Sequence, residues 1–260
     1  MRLRRLALPL LLLLTTALAA LHRTPVTVYL AGDSTMAPKL ATRRPETGWG
    51  EMLQQYFDPA AVRIDNRAKN GRSTRTFLAE GLWQSIADSL RPGDLVFIQF
   101  GHNDESQEKA DRYTPAADYR RNLERFVAEA RSRGATPVLL TPVARRRFDA
   151  AGRVVHSHGE YPELVRTVAR ELGAPLIDME RASEGALAEY GVQGSRTLFL
   201  QLRPGEHPNY PTGIEDNTHF SPVGAAVMAG LAVEGIRQAV PALAAHLAPA
   251  PALRRVAVLR

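Results

Sequence analysis

Five short runs of β-branched and aliphatic residues, at 26–30, 62–65, 95–100, 137–141 and 175–177, are each bounded by turn-forming residues. Runs of this length and apolar continuity predict buried strands. Between them the apolar positions return at helical spacing. Leu53, Tyr56 and Phe57 share a face after Glu51; Leu82, Ile86 and Leu90 share another; Tyr119, Leu123, Phe126, Val127 and Ala130 form a third. A fourth, within 161–172, carries Leu164, Val165, Val168 and Leu172. Gly134 and Gly173 stand where helix C-caps would lead into the next strand. Strands and helices therefore alternate, which predicts a three-layer, doubly wound α/β domain around a five-stranded parallel sheet.

The last helix is predicted to start at Ser221-Pro222, a capping residue followed by proline at the first helical position, and to run to about Ala239. Residues 241–260 are rich in alanine and proline and are expected to pack loosely. From 183 to 218 no clean period emerges. Pro204-Gly205, His207-Pro208 and Tyr210-Pro211-Thr212-Gly213 mark a long irregular loop there, and loops of that length in compact domains usually serve function.

At 260 residues and 45% hydrophobic, the chain suits one domain with a sizeable core. The formal charge of +6, from 33 Lys+Arg against 27 Asp+Glu, first suggests an anionic partner. The N-terminus weakens that suggestion. Arg2, Arg4 and Arg5 precede an apolar run from Leu6 to Leu14, and Ala17-Leu18-Ala19 supplies a small-residue cleavage site, so residues 1–19 read as a secretory signal. An uncleaved anchor is the alternative, but residues 6–21 fall short of the roughly 20 needed to span hydrocarbon. Cleavage after Ala19 removes three of the 33 bases, leaving 30 against 27 and a mature charge of +3. The expected layout is signal peptide 1–19, catalytic domain 20–245 and tail 246–260, in a secreted or periplasmic monomer that lacks a stable membrane anchor and a nucleic-acid partner. The absence of cysteine excludes disulfides, thiolate metal sites and a thiol nucleophile. No Gly-x-Gly-x-x-Gly or Walker-type loop is present, and neither a cofactor nor a metal is expected.

Ligand sites of open parallel sheets lie beyond the carboxyl ends of the strands. Gly32-Asp33-Ser34-Thr35 follows the first predicted strand, Asn66, Ala68 and Asn70-Gly71-Arg72-Ser73 the second, and Gly101-His102-Asn103-Asp104 the third; Asp216-Asn217-Thr218-His219 comes just before the last helix. Acyl transfer from serine needs a nucleophile, a base, a group that orients the base and donors for the oxyanion. Ser34, at a turn from strand to helix, is the candidate nucleophile, His219 the base and Asp216 the orienting carboxylate. The N–H groups of Ser34 and Gly71 and the amide of Asn103 are the candidate oxyanion donors. Alone, each cluster also reads as a turn or cap. Their ordered placement after successive strands is what favours chemistry.

These four blocks resemble those of the SGNH (GDSL) hydrolases. More narrowly, Ala31-Gly32-Asp33-Ser34-Thr35-Met36, Gly71-Arg72-Ser73-Thr74-Arg75-Thr76-Phe77 and Asp216-Asn217-Thr218-His219-Phe220-Ser221 look like the rhamnogalacturonan acetylesterase branch. The resemblance implies a flavodoxin-like sheet, a Ser34–His219–Asp216 triad, oxyanion donors from Ser34, Gly71 and Asn103, and de-O-acetylation of pectic or related polysaccharide. A lipid or thioester esterase is the alternative within the hydrolases. Two readings from other classes compete. His102, Asp104, His156, His158 and His207 are ligand types for a metal. Trp49, Trp83, Tyr113 and Tyr210 could stack on sugars in a non-catalytic binding protein. Arg145-Arg146-Arg147, after the fourth strand, reads either as a solvated turn or as a patch facing an anionic polymer.

Overall fold

The structure is a computed structural model and describes residues 25–248; the predicted signal segment 1–19 and most of the predicted tail lie outside them. Five parallel strands form the sheet: β1 (Val26–Gly32), β2 (Val62–Asn66), β3 (Leu95–Gln99), β4 (Thr136–Leu140) and β5 (Leu176–Ile177), in the order β2-β1-β3-β4-β5. All five predicted strands are present. Side chains alternate between two cores because successive residues of a strand point to opposite faces. Val28 and Leu30 of β1, with Leu95 and Phe97 of β3, enter one apolar cluster; Tyr29 and Ala31, with Val96 and Ile98, enter the other.

The second cluster is covered by α1 (Thr74–Ala79), α2 (Leu82–Ser89), α3 (Ala116–Ser132) and α4 (Tyr161–Leu172), through residues such as Phe77, Trp83, Phe126 and Val165. The first is covered by a 3-10 helix at Trp49–Tyr56, by α5 (Met179–Gly194) and by α6 (Pro222–Ala239), with α7 (Pro241–Ala244) at its end. Gly134 and Gly173 lie at positive φ at the ends of α3 and α4, as cap residues do. Ser221 caps α6 by accepting from the Gly224 N–H.

The structure corrects the sequence reading in three places. Residues 183–218 contain most of α5, a 3-10 turn (Ser195–Leu198), and an antiparallel ribbon of β6 (Phe199–Leu202) and β7 (Ile214–Phe220), so only the ribbon's tip is irregular. β7 is nearly all polar, IEDNTHF, and buries fully only Phe220, so no alternation announces it. The face containing Leu53 and Tyr56 belongs to a 3-10 helix, not an α-helix. Residues 241–248 pack closely: Leu243 is buried, Leu247 bridges to Phe57 and the Ala248 N–H donates to the Tyr56 carbonyl.

The strand order opens a crevice. The chain leaves β1 for β2 on one side and then crosses to β3 on the other, so the loops following β1 and β3 diverge at a topological switch point. Ser34 and Asn103 are carried by these two loops.

Candidate active site

Ser34 sits on a tight turn after β1. The Asp33 carbonyl accepts from the N–H groups of Met36 (3.3 Å) and Ala37 (3.0 Å), and Asp33 Oδ1 accepts from the Thr35 N–H (2.9 Å) and hydroxyl (2.8 Å). Gln99 Nε2 donates to Thr35 Oγ1 (2.8 Å), and Trp49 Nε1 donates to Gln99 Oε1 (3.0 Å). This network fixes the turn that carries Ser34. The helix expected directly after Ser34 is absent: the next element is a 3-10 turn at Ala41–Arg43, so no helix dipole acts on the hydroxyl.

β7 brings Asp216 and His219 to the same crevice. Asp216 Oδ1 accepts from the N–H groups of Thr218 (2.7 Å) and His219 (2.9 Å), while Oδ2 lies 2.7 Å from His219 Nδ1. Burial pulls the Asp216 pKa upward, but His219 and the two backbone donors outweigh it and hold it at about 2. An ionised carboxylate can only accept, so Nδ1 carries the proton and Nε2 is left as an acceptor. His219 Nε2 lies 2.8 Å from Ser34 Oγ and can take its proton.

Gly71 stands at φ 75°, a conformation that favours glycine, on a loop facing the same cleft. Among the described residues the N–H groups of Ser34 and Gly71 donate to no protein acceptor. Asn103 Nδ2 donates to the Arg72 carbonyl at 3.0 Å, which fixes the amide while leaving its second hydrogen uncommitted. The loops that carry Gly71 and Asn103 are tied again through Asp104, whose Oδ1 accepts from the Thr74 N–H (2.9 Å) and hydroxyl (2.6 Å). Burial pushes the Asp104 pKa up to about 7. Asp33 Oδ2 lies 3.4 Å from His102 Nδ1. Burial and the neighbouring His158 draw His102 down to about 4, which makes it a neutral imidazole at neutral pH. Burial of Asp33 is outweighed by its contacts with His102 and Thr35, which keep it at about 2.

These groups border an open cleft of about 520 Å³. Its walls are mostly charged or polar, including Arg43, Asn70, Lys109 and Arg112, with Leu40 as the exposed apolar exception.

Of the residues weighed for the competing readings, His102 and His158 pack ring to ring with centroids 4.3 Å apart, while His156 and His207 lie elsewhere. His156 faces Glu184 at the surface (2.7 Å), His158 is buried between Glu105 and the Val143 carbonyl, and His207 stands by Tyr210. His156, Glu180 and Glu184 bring one ligand-type atom each within 4.8 Å of one another, but Glu180 is already ion-paired to Arg166 at 2.6 Å. Trp49 and Trp83 are core residues, 0% and 1% exposed, and cannot stack on a sugar. Tyr113 is half-buried, and the Tyr210 hydroxyl donates to the Arg43 carbonyl. Sequence reasoning missed Lys39, whose ammonium donates to the Ser34 carbonyl and to Asn70 Oδ1 (2.9 Å) and pairs with Glu46 (2.8 Å). Its signal was its rarity: Lys39 is one of three lysines in the chain, five residues past Ser34.

A flavodoxin-like sheet with a serine, a histidine and an aspartate in register at its switch point defines a class, the α/β ester hydrolases. The model of the GDSL-like lipase/acylhydrolase family matches residues 30–227, and the chain belongs to that family. It is therefore an enzyme that hydrolyses ester bonds. It is 44% identical over 214 residues to the rhamnogalacturonan acetylesterase RhgT of Bacillus subtilis, covering 82% of this chain and 90% of that one. The crystal structure of YxiM from Bacillus subtilis superposes with a TM-score of 0.71 at 25% identity, over 83% of this chain and 57% of that one. The acetylxylan esterase Axe2 of Geobacillus stearothermophilus shares the fold, with a TM-score of 0.59 at 17% identity over 82% of this chain and 94% of that one. Among the described residues no helix is long and apolar enough to cross a membrane.

Proposed function

We propose that the protein is an exported serine carbohydrate esterase that removes O-acetyl groups from a pectic, rhamnogalacturonan-like polysaccharide. The observation that carries this reading is the alignment of Asp216, His219 and Ser34 through contacts of 2.7 and 2.8 Å at the floor of an open polar cleft. Ser34 Oγ attacks the acetyl carbonyl as His219 Nε2 takes its proton, and the tetrahedral oxyanion receives hydrogen bonds from Ser34 N–H, Gly71 N–H and Asn103 Nδ2. Collapse breaks the bond to the sugar oxygen, which leaves with the proton from His219. Water then gives its proton to His219 and attacks the acetyl-Ser34 ester, releasing acetate and restoring the hydroxyl.

Kinship with RhgT supports the substrate class. The polar walls of the cleft favour a sugar over the alternative, a lipid or thioester, whose acyl chain would need an apolar tunnel. Export rests on Arg2, Arg4, Arg5 and the apolar run that follows them, and it suits a polymer too large to enter a cell. The test compares acetate release from acetylated rhamnogalacturonan, acetylated xylan and a phospholipid, with Ser34→Ala as control. Preference for rhamnogalacturonan, abolished in the variant, is expected. Phospholipid as the best substrate would overturn the sugar assignment, and turnover by Ser34→Ala would overturn the nucleophile.

A further inference from the structure

In the arginine run after β4, Arg147 is exposed, whereas Arg145 borders the cleft and bonds to the loops around it. Arg145 Nη1 donates to Thr218 Oγ1 (2.6 Å), while Nη2 donates to Glu105 Oε1 (3.0 Å) and to the His102 carbonyl (3.2 Å). Thr218 immediately precedes His219. His102 immediately precedes Asn103, and Glu105 lies two residues after it. One guanidinium thus spans the loop carrying the base and the loop carrying an oxyanion donor.

Both ends of this bridge are anchored. Glu105 Oε2 lies 3.0 Å from Nδ1 of the buried His158, whose Nε2 contacts the Val143 carbonyl (2.8 Å). On the other side, the Arg146 N–H donates to the Asn217 carbonyl (2.8 Å) and its Nη1 to Asn217 Oδ1 (3.0 Å), while its Nε reaches Ser195 Oγ (3.1 Å) and its Nη2 the Val192 carbonyl. Besides the Gln201 amide, which donates to the Asp216 carbonyl (2.9 Å) and Asn217 Oδ1 (3.0 Å), two consecutive arginines thus hold the segment 216–219. A planar guanidinium holds its donors at fixed spacing, whereas an ammonium is a point with freely turning donors.

We propose that Arg145 is a positioning residue that sets His219 in register with Asn103, with Arg146 steadying the same segment. This rests on reading Ser34, His219 and Asn103 as the reacting centre. Displacement of a reacting group by about 1 Å costs on the order of 10²-fold in rate, and a loss of about that size is expected in kcat when the bridge is removed.

The experiment uses the full chain with 4-nitrophenyl acetate, a substrate too small to reach a remote subsite. Turnover is expressed per Ser34 labelled to completion by a fluorophosphonate, so that misfolded molecules drop out. Arg145→Ala is expected to lower kcat by on the order of 10²-fold with KM little changed, and Arg145→Lys not to restore it. Thr218→Val removes only the hydroxyl arm and should lose part of the same rate, with the double variant no worse than Arg145→Ala. Three results would overturn the proposal. One is kcat per labelled site within about threefold of the parent in Arg145→Ala, far short of the expected loss. Another, read by repeating the assay on acetylated acidic polymer, is an effect confined to KM on that polymer, which would make Arg145 a substrate ligand. The third is additive losses in the double variant. Ser34→Ala tests the underlying reading separately: if it turns over, the reacting centre is misplaced, whereas a dead Ser34→Ala beside an unaffected Arg145→Ala sinks the bridge alone.

Discussion

Replacing Asp216 by asparagine exchanges one oxygen for an amide nitrogen, and the surrounding donors dictate where that nitrogen goes. Oδ1 accepts from two backbone N–H groups, those of Thr218 (2.7 Å) and His219 (2.9 Å). An amide nitrogen cannot accept, so the asparagine must keep its oxygen there and turn its NH₂ toward His219 Nδ1, where Oδ2 stood at 2.7 Å. The ring answers with the opposite tautomer. Nδ1 becomes the acceptor, the proton moves to Nε2, and the nitrogen 2.8 Å from Ser34 Oγ can no longer take a proton. A wrong-tautomer histidine in such a triad lowers kcat by about 10⁴, or about 5 kcal/mol of transition-state stabilisation. Both backbone bonds survive, so the melting temperature should move little. Steady-state hydrolysis of 4-nitrophenyl acetate, normalised to folded protein, measures the loss. A variant that keeps more than about a tenth of parental kcat would refute the claim that Asp216 sets the His219 tautomer.

Asn103→Ala should cost on the order of 10²–10³ in kcat if its amide meets the oxyanion; a loss under about tenfold would leave it only its bond to the Arg72 carbonyl. Gly224→Ala places a Cβ 1.7 Å from the Leu198 carbonyl oxygen, a backbone atom that cannot step aside. It should cost on the order of 3 kcal/mol in urea unfolding, and an unshifted midpoint would deny the close approach of α6 to the turn before β6. Asp104 has a pKa raised to about 7 in the fold against about 3.9 unfolded, so between those pH values the native state binds a proton that the unfolded chain has released. Its contribution is therefore full below about pH 4 and lost as pH rises through 7, the reverse of Asp33 and Asp216, whose stabilisation fades as pH falls toward 2. Melting curves across that window should fall more steeply for the parent than for Asp104→Asn, and parallel curves would place the proton elsewhere.

The sheet was legible because its central strands β1, β3 and β4 bury both faces and so read as nearly uninterrupted apolar runs, while the edge strand β2, VRIDN, is only partly buried. The helices packed as amphipathic cylinders were legible for the matching reason. α5 was not, since its sequence MERASEGALAEYGVQG buries little beyond Met179, Glu180, Ser183 and Leu187 and shows no broad apolar stripe. β7 escaped for a functional reason: a ribbon that presents Asp216 and His219 to a cleft spends its positions on polar side chains. Of the candidate site, the residues following each strand could be named in advance because strand direction alone sends them to one edge. What supports them could not. Arg145 meets Thr218 across 73 residues and Glu105 across 40, and a run of arginines carries no mark of whether it will face water or a carbonyl.

Lys39 and Glu46 put the difference between holding a fold and holding a site to a test. Both side chains are buried, 0% and 1% exposed, and burial draws the Lys39 pKa below the ordinary lysine range. Such a pair is weak evidence for stability, because desolvating two charges consumes most of their attraction. Removing one partner is another matter. Lys39→Met strands the Glu46 carboxylate, though Arg43 at 2.9 Å still meets it, and a loss near the low end of the usual range, about 3 kcal/mol, is expected. Lys39→Met with Glu46→Leu removes both charges, and stability should largely return. Activity should not return with it. The ammonium also donates to the Ser34 carbonyl and to Asn70 Oδ1, beside Gly71, and a thioether supplies neither bond. Unfolding free energy and kcat on 4-nitrophenyl acetate should therefore separate in the double variant, and recovery of both together would reduce the pair to packing.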